Sequence, residues 1–203
     1  MILSLIESCL RGIGGQAGRY LRYGYYKLRL RKCGRGVFID TGVHLINPSS
    51  ISLEEGVWID KNSILIAGAL PLKVEKVKRI ENINFQGIEG EIYVGAYSHI
   101  GLMNVIQGHG GVRLGRYCTT SAGVKIYSLS NDPKRCPTGT LKDPAYIMHP
   151  VEMGENVWLG INVTVLGHSI GSNAFVKSHQ LVYSDILPGR DDSQVQSESE
   201  DQA

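Results

Sequence analysis

The chain of 203 residues lacks any apolar run that approaches the length of a membrane span. Its four cysteines show no CxxC or other metal-ligand spacing, which predicts reduced thiols in a cytoplasmic protein. A net charge of only +2 gives no overall field for nucleic acid, so we expect no nucleic-acid partner. The opening MILSLI has no basic lead-in and does not fit a signal peptide.

What the chain does have is glycine, 25 residues in all, and an aliphatic repeat. In the stretch 92–126 every sixth residue is aliphatic or small: Val94, Ile100, Ile106, Val112, Cys118 and Val124. Six residues turn a helix by about 600°, so a helix would place alternate repeats on opposite faces. The period instead predicts a hexapeptide β-helix, in which stacked short strands enclose the aliphatic residues. With three hexads to a coil, we expect Tyr127 to lie over His109.

The repeat extends from Val37 to Gly189, with two long interruptions. Segments 67–91 and 127–150 are too polar or too rich in proline for the prism, and we predict extruded loops there. The sequence thus divides into an N-terminal arm (1–35), a β-helix domain (36–189) and an acidic tail (190–203). The tail has almost no apolar residues, and we expect it to be disordered.

The arm is strongly basic, since residues 1–36 contain eight Lys or Arg residues and one acid, Glu7. Leu3, Ile6, Leu10 and Ile13 have helical spacing. One interpretation is a helical cap over the open end of the prism. The other is that residues 1–35 contact the inner face of an anionic membrane. Both interpretations stay open at this point.

Four segments carry a family resemblance: QGHGGVRLG, GVKIYSLSND, MGENVWLG and VYSDILPG. With the repeat, they make the chain resemble the hexapeptide-repeat acyltransferases, and most of all the sugar O-acetyltransferases of bacterial polysaccharide synthesis. The resemblance implies an all-β fold, a left-handed parallel β-helix, assembled as a homotrimer. It also implies that acetyl-CoA lies between neighbouring prisms as co-substrate, and that the acetyl group passes to a hydroxyl of a carbohydrate acceptor.

The position of the catalytic base departs from the family pattern. In galactoside and maltose acetyltransferases the catalytic histidine falls five residues after an interior aliphatic residue, and the matching residue here is Asn131. Asparagine cannot take a proton, although it can orient a hydroxyl. Among the six histidines, His109 is flanked by glycines at a turn beside the second loop, and we expect it to be the base. His149, at the end of that loop, is the second candidate.

The resemblance also marks residues for the acyl donor and acceptor. Trp158 points outward on its strand and is expected to form a wall for the pantetheine or the acceptor. The positions that contact CoA in the family fall on Gly160, Ile161, Ser178, Tyr183 and Ser184, with Lys177 as the nearest lysine. Glu152, Glu155 and Asp132 are candidates for orienting a histidine.

Three other functions were weighed. A γ-type carbonic anhydrase needs a His-x4-His pair for zinc, and no two histidines here are five apart, so we expect no metal. An amino-sugar N-acyltransferase is an alternative within the same class of chemistry. A degenerate β-helix that acts as a scaffold or binding protein is another, because of Asn131.

Overall fold

The computed structural model describes residues 2–70, 76–135 and 145–189. Two helices, α1 (Ile2–Gly12) and α2 (Gly15–Lys27), precede a long series of short strands and one 3-10 turn, Pro48–Ser50. The strands in chain order are β1 (Lys32–Cys33), β2 (Phe38–Ile39), β3 (His44–Ile46), β4 (Ile51–Leu53), β5 (Trp58–Ile59), β6 (Ile64–Ile66), β7 (Val77–Arg79), β8 (Ile92–Val94), β9 (His99–Ile100), β10 (Val105–Gln107), β11 (Val112–Leu114), β12 (Thr119–Thr120), β13 (Lys125–Tyr127), β14 (Leu129–Asn131), β15 (Tyr146–Met148), β16 (Val151–Met153), β17 (Trp158–Leu159), β18 (Thr164–Leu166), β19 (Ser169–Ile170), β20 (Phe175–Val176) and β21 (Leu181–Val182).

Eighteen of these strands form three parallel sheets of six strands each. The first sheet contains β1, β4, β8, β11, β16 and β19, and the second contains β2, β5, β9, β12, β17 and β20. The third contains β3, β6, β10, β13, β18 and β21. Successive strands of the chain enter the three sheets in rotation, so the backbone winds as a parallel β-helix. The sequence prediction of a mostly β protein with parallel coils and a helical arm is confirmed.

The interior is built from the residues that the repeat identified. All six members of the repeat in 92–126 are at most 1% exposed. Leu53, Ile59 and Leu65, each six residues apart, are fully buried in the preceding coil. Each fully buried aliphatic side chain contributes about 1.5–3 kcal/mol relative to an exposed one. The prism is therefore stabilised along its whole length by one continuous column of aliphatic residues.

The stacking of the coils differs from the sequence prediction. Ile106 lies opposite Ile126, not Val124, and Gln107 lies opposite Tyr127. The coil from 106 to 126 therefore has 20 residues, because the glycine-rich turn at 108–111 adds two residues to three hexads. The prediction that Tyr127 lies over His109 was wrong for this reason.

The two interruptions join to form one small structure outside the prism. Strand β15 pairs antiparallel with β14 and parallel with β7, so both interruptions contribute to a three-stranded sheet. Val77, Leu129 and Met148 form its own small core. The segments 71–75 and 136–144 lie outside the described residues, as does the tail 190–203 that was predicted to be disordered.

The helical arm is locked to the first coil by a buried arginine. Arg22 is 1% exposed and donates to the carbonyl oxygens of Ile39 at 2.9 Å, Leu10 at 2.9 Å and Ile13 at 2.6 Å. These bonds join α1, the turn between the helices and β2. Burial lowers the pKa of this guanidinium, as expected for a cation removed from water.

Candidate functional site

The interruptions of the repeat fall on one corner of the prism, where a strand of the third sheet leads into the next strand of the first sheet. We name this the loop corner; its segments are 47–50, 67–91, 108–111, 128–150, 167–168 and 183–185. The inside of the prism is filled with aliphatic side chains, so reactive groups lie at corners or on outer faces. His109, His149, His168 and Asp185 all lie on the loop corner.

His109 lies in the turn between β10 and β11 and is 7% exposed. Its Nδ1 is 2.7 Å from the carbonyl oxygen of Gly68. A carbonyl oxygen can only accept a hydrogen bond, so Nδ1 carries the proton in the neutral ring. The basic nitrogen is therefore Nε2, and the structure gives it no hydrogen-bond partner among the described residues.

The turn that carries His109 is clamped between the two interruptions. A side chain on Gly110 would overlap the carbonyl oxygen of Ser128, whose hydroxyl accepts from the Gly110 amide at 2.9 Å. Gly111 has a φ of +97°, and a side chain there would overlap the ring of Phe85. These glycines allow close packing on both sides, so the turn and its imidazole are held in place.

A second group of ionisable side chains lies further along the same corner. The rings of His149 and His168 meet edge to face, with centroids 4.4 Å apart. Nδ1 of His168 is 3.3 Å from a carboxylate oxygen of Asp185, which also accepts from the Ser169 amide at 2.8 Å. Burial, and then the charge of His168, lower the pKa of His149, so this imidazole is held in its neutral, basic form.

Two clefts open beside these histidines, one on each side of Ile80. The smaller has a volume of about 190 Å³ and is lined by both rings of the His149–His168 pair and by Tyr127 and Ser130. The larger, of about 390 Å³, reaches Gly110, the residue after His109. The corner therefore offers neutral imidazoles, hydroxyl groups and space for a small substrate.

Asn131, the residue at the family's histidine position, is exposed on β14 and lies opposite Tyr146. The carboxylates that were expected to orient a histidine are engaged elsewhere. Asp132 is buried and accepts from the amides of Lys134 and Arg135. Glu152 accepts from the Gln86 amide and Glu155 pairs with Arg116.

The residues expected to contact CoA divide between two corners. Trp158 is 55% exposed on the second sheet and donates to the Ser121 hydroxyl at 3.1 Å. The corner that follows this sheet carries Gly160, Ile161, Lys177 and Ser178, where the Ile161 amide donates to the Ser178 hydroxyl at 3.1 Å. Tyr183 and Ser184 lie instead on the loop corner, after β21. The third sheet separates the two groups within one chain.

Sequence reasoning missed two partners in this region. The Gly68 carbonyl that fixes the His109 tautomer is a backbone group 41 residues away, and no residue type signals it. The pairing of His168 with Asp185 follows from a 17-residue coil, which the shortened step before Ile170 could have revealed. Within the described residues, no group of three or more His, Cys, Asp or Glu side chains is arranged to hold a metal ion.

The fold and this corner define a class, the parallel β-helix with loops extruded at one corner. No family model matches the sequence, and no curated protein does. Solved structures match clearly. AntD, an N-acyltransferase from Bacillus cereus in complex with dTDP and 3-hydroxybutyryl-CoA, aligns with a TM-score of 0.63 and 18% identity over 89% of this chain and 94% of AntD.

Two further structures extend the comparison. A point mutant of AntD, in complex with dTDP-4-amino-4,6-dideoxyglucose and coenzyme A, gives a TM-score of 0.64 at 17% identity, over 89% of this chain and 95% of that one. A hexapeptide-repeat-containing acetyltransferase from Vibrio cholerae, complexed with acetyl-CoA, gives 0.56 at 14% identity, over 92% and 76% of the two chains. At these identities the likeness shows a shared fold.

Proposed function

We propose that this protein is a CoA-dependent O-acetyltransferase that moves an acetyl group from acetyl-CoA to a hydroxyl of a sugar or polysaccharide precursor in the cytoplasm. The observation that carries the proposal is the loop corner, where His109 has a fixed tautomer and a basic Nε2. The shared fold with structures of CoA-dependent acyltransferases supports it. We infer that the β-helix is left-handed, as the hexapeptide repeat implies.

In the proposed reaction, Nε2 of His109 accepts the proton of the attacking hydroxyl. The acceptor oxygen forms a bond to the thioester carbonyl carbon, and the carbon–sulfur bond breaks. The imidazolium then returns the proton to the leaving sulfur, so the base is regenerated and free CoA is formed. Backbone amides of the corner, with the Asn131 amide group, stabilise the negative charge on the carbonyl oxygen. His149 is the second candidate for the base, because its neutral ring lines the smaller cleft.

The separation of the predicted residues supports a homotrimer with its sites between copies. His109 and the wall formed by Trp158 and Ile161 lie on different corners of one prism, with the third sheet between them. A second copy packed alongside can bring its Trp158 corner to the first copy's loop corner. The pantetheine chain and the acceptor then meet in one slot that excludes water.

N-acylation of an amino sugar is the alternative, and the likeness to AntD favours it. An amine in its free-base form is already nucleophilic, whereas a hydroxyl needs its proton removed during attack. Loss of the base should therefore slow transfer to a hydroxyl more than transfer to an amine. This difference separates the two functions with one set of variants.

The test measures thiol release from acetyl-CoA with a panel of sugars, amino sugars and nucleotide sugars, for wild type, His109→Gln and His149→Gln. His44→Gln is the matched control, because His44 lies on the first coil and contacts Arg11 at 3.3 Å. We expect acceptor-dependent release that falls about a hundredfold or more in His109→Gln and stays near wild type in the control.

A comparable loss in His149→Gln alone would move the base to His149. A high rate with amines that survives both substitutions would favour N-acylation. Absence of release and of acetyl-CoA binding would refute acyl transfer and favour the scaffold interpretation.

A further inference from the structure

The first helix of the arm packs with its polar side inward and its apolar side outward. Helices on globular proteins normally bury their apolar face. In α1 the side chains of Glu7 and Arg11, one turn apart, face the protein. Tyr26 donates to the Glu7 carboxylate at 3.1 Å, Arg11 pairs with Glu7 at 3.6 Å, and Arg11 lies 3.3 Å from His44.

The opposite side of α1 is apolar and uncovered. Leu5 and Ile6 lie about 160° and 100° round the helix from Glu7 and are 66% and 41% exposed. Ile13, just after the helix, is also exposed. Leu28 is 87% exposed, at the end of α2 that lies beside α1, since Tyr25 and Tyr26 both contact Glu7. Several large aliphatic side chains therefore project from one end of the helical arm.

The charge of this surface indicates what covers it. Glu7 is the one acid in residues 1–36, and its carboxylate is turned inward. Lys27 and Arg29 flank Leu28 and lie over the rings of Tyr23 and Tyr25 at 5.7 and 5.9 Å. Neither has a carboxylate partner within the described residues. Further cations of the arm pair with acids of the coils: Arg31 with Glu91, Lys32 with Glu54, and Arg35 with Glu55.

We propose that this end of the arm, formed by Leu5, Ile6 and Leu28 with Lys27 and Arg29, docks on the surface of an anionic lipid bilayer. Aliphatic side chains enter the boundary between headgroups and acyl chains, while Lys and Arg contact anionic headgroups. With 11 residues, α1 is too short to span a bilayer, and no helix in the described ranges is long and apolar enough to do so. The helix therefore lies in the plane of the interface.

The arm is suited to this role because it is held rigidly. Arg22 bonds to three carbonyl oxygens from α1, the turn and β2, so the apolar face keeps a constant orientation relative to the prism. A rigid surface loses little conformational entropy on docking. The interaction is separate from acyl transfer, since the loop corner takes no part in it.

The test is co-sedimentation of the full-length protein with vesicles of pure phosphatidylcholine or of phosphatidylcholine mixed with phosphatidylglycerol. We expect binding to the anionic vesicles that weakens at high salt. Leu5→Ser combined with Ile6→Ser should weaken it by at least about tenfold. Lys27→Gln combined with Arg29→Gln should weaken it by roughly fivefold per cation. The control, Ile83→Ser, alters an equally exposed residue on an extruded loop and should bind like wild type.

Two results would overturn the proposal. One is equal binding of wild type and the Leu5/Ile6 variant to anionic vesicles, or no binding by wild type. The other is a change of oligomeric state of that variant in lipid-free buffer, measured by light scattering, without a change in vesicle binding; the apolar face would then belong to a contact between copies. Circular dichroism of each variant shows whether the arm is still folded.

Discussion

Two glycines of α2 offer the same substitution with opposite expected effects. An alanine Cβ at Gly24 would meet no heavy atom within 4 Å. At Gly18 it would overlap the carbonyl oxygen of Ile13, and would lie 2.8 Å from the carbonyl carbon and 3.0 Å from Nη1 of Arg22. Because alanine is the better helix former, Gly24→Ala should stabilise α2 by about 0.5–1 kcal/mol.

The cost at Gly18 follows from what the Ile13 carbonyl does. It accepts from Nη1 of Arg22, which also donates to Leu10. To admit the new methyl group, the turn between the helices must move away and both bonds are lost. Hydrogen bonds to a charged group contribute about 1.5–3 kcal/mol each. After the gain in helix propensity, Gly18→Ala should weaken docking of the arm by about 2–5 kcal/mol.

Native-state hydrogen exchange of peptides that cover α2 measures this docking free energy directly. Thermal melting of the prism serves as the control, because the prism core does not include Gly18. We expect faster exchange in Gly18→Ala, slower exchange in Gly24→Ala and a nearly unchanged prism in both. Protection in Gly18→Ala equal to that of wild type would refute the role assigned to the Arg22 bonds.

Three further predictions concern the prism and its thiols. Ile126→Ala leaves a cavity in the fully buried column and should cost about 2–5 kcal/mol of unfolding free energy, measured by chemical denaturation. Because the pKa of His149 is lowered in the folded protein by burial and by His168, the unfolded chain binds the proton more readily. Stability should therefore fall as the pH drops below about 6.5, and His149→Gln should remove part of that fall. Burial raises the pKa of the Cys118 thiol to about 11, so iodoacetamide should label the exposed Cys9 and spare Cys118 until the protein unfolds, as mapped by mass spectrometry.

The fold could be predicted because the β-helix repeats one local rule. Every coil needs inward aliphatic residues at fixed spacing, so each hexad restates the same signal. Even Cys118, the least aliphatic member of the series, was assigned to the interior, and it is 1% exposed. The rule fails where its period changes. The turn at 108–111 lengthens one coil to 20 residues, and the aliphatic pattern alone does not show which of Val124 and Ile126 stacks over Ile106.

The candidate site could be predicted in its residue types but not in its contacts. The glycines around His109 predicted an accessible turn, whereas the structure uses them to pack the turn between two interruptions. The pairing of β7 with β15 joins segments that are 69 residues apart, from Val77 to Tyr146. No periodicity links them, because this small sheet follows the geometry of the corner and not the repeat. The roles of His109, His149 and Asn131 remain predictions that the substitutions above test.

The interior of the prism explains why chemistry concentrates at one corner. A β-helix has no space inside for a substrate, and its sheets are regular enough that a reactive group on a strand repeats the same exposure in every coil. Only a corner can change its length without disturbing the stacked strands on either side. At the loop corner the chain does this in every coil, with segments that range from two residues at 167–168 to 25 residues at 67–91. Backbone groups such as the Gly68 carbonyl then lie beside side chains such as His109, and a tautomer can be fixed without a carboxylate. We therefore expect substitutions on the outer faces of the first coil to leave any catalytic activity intact, while substitutions of Gly110 or Gly111 abolish it with little loss of prism stability.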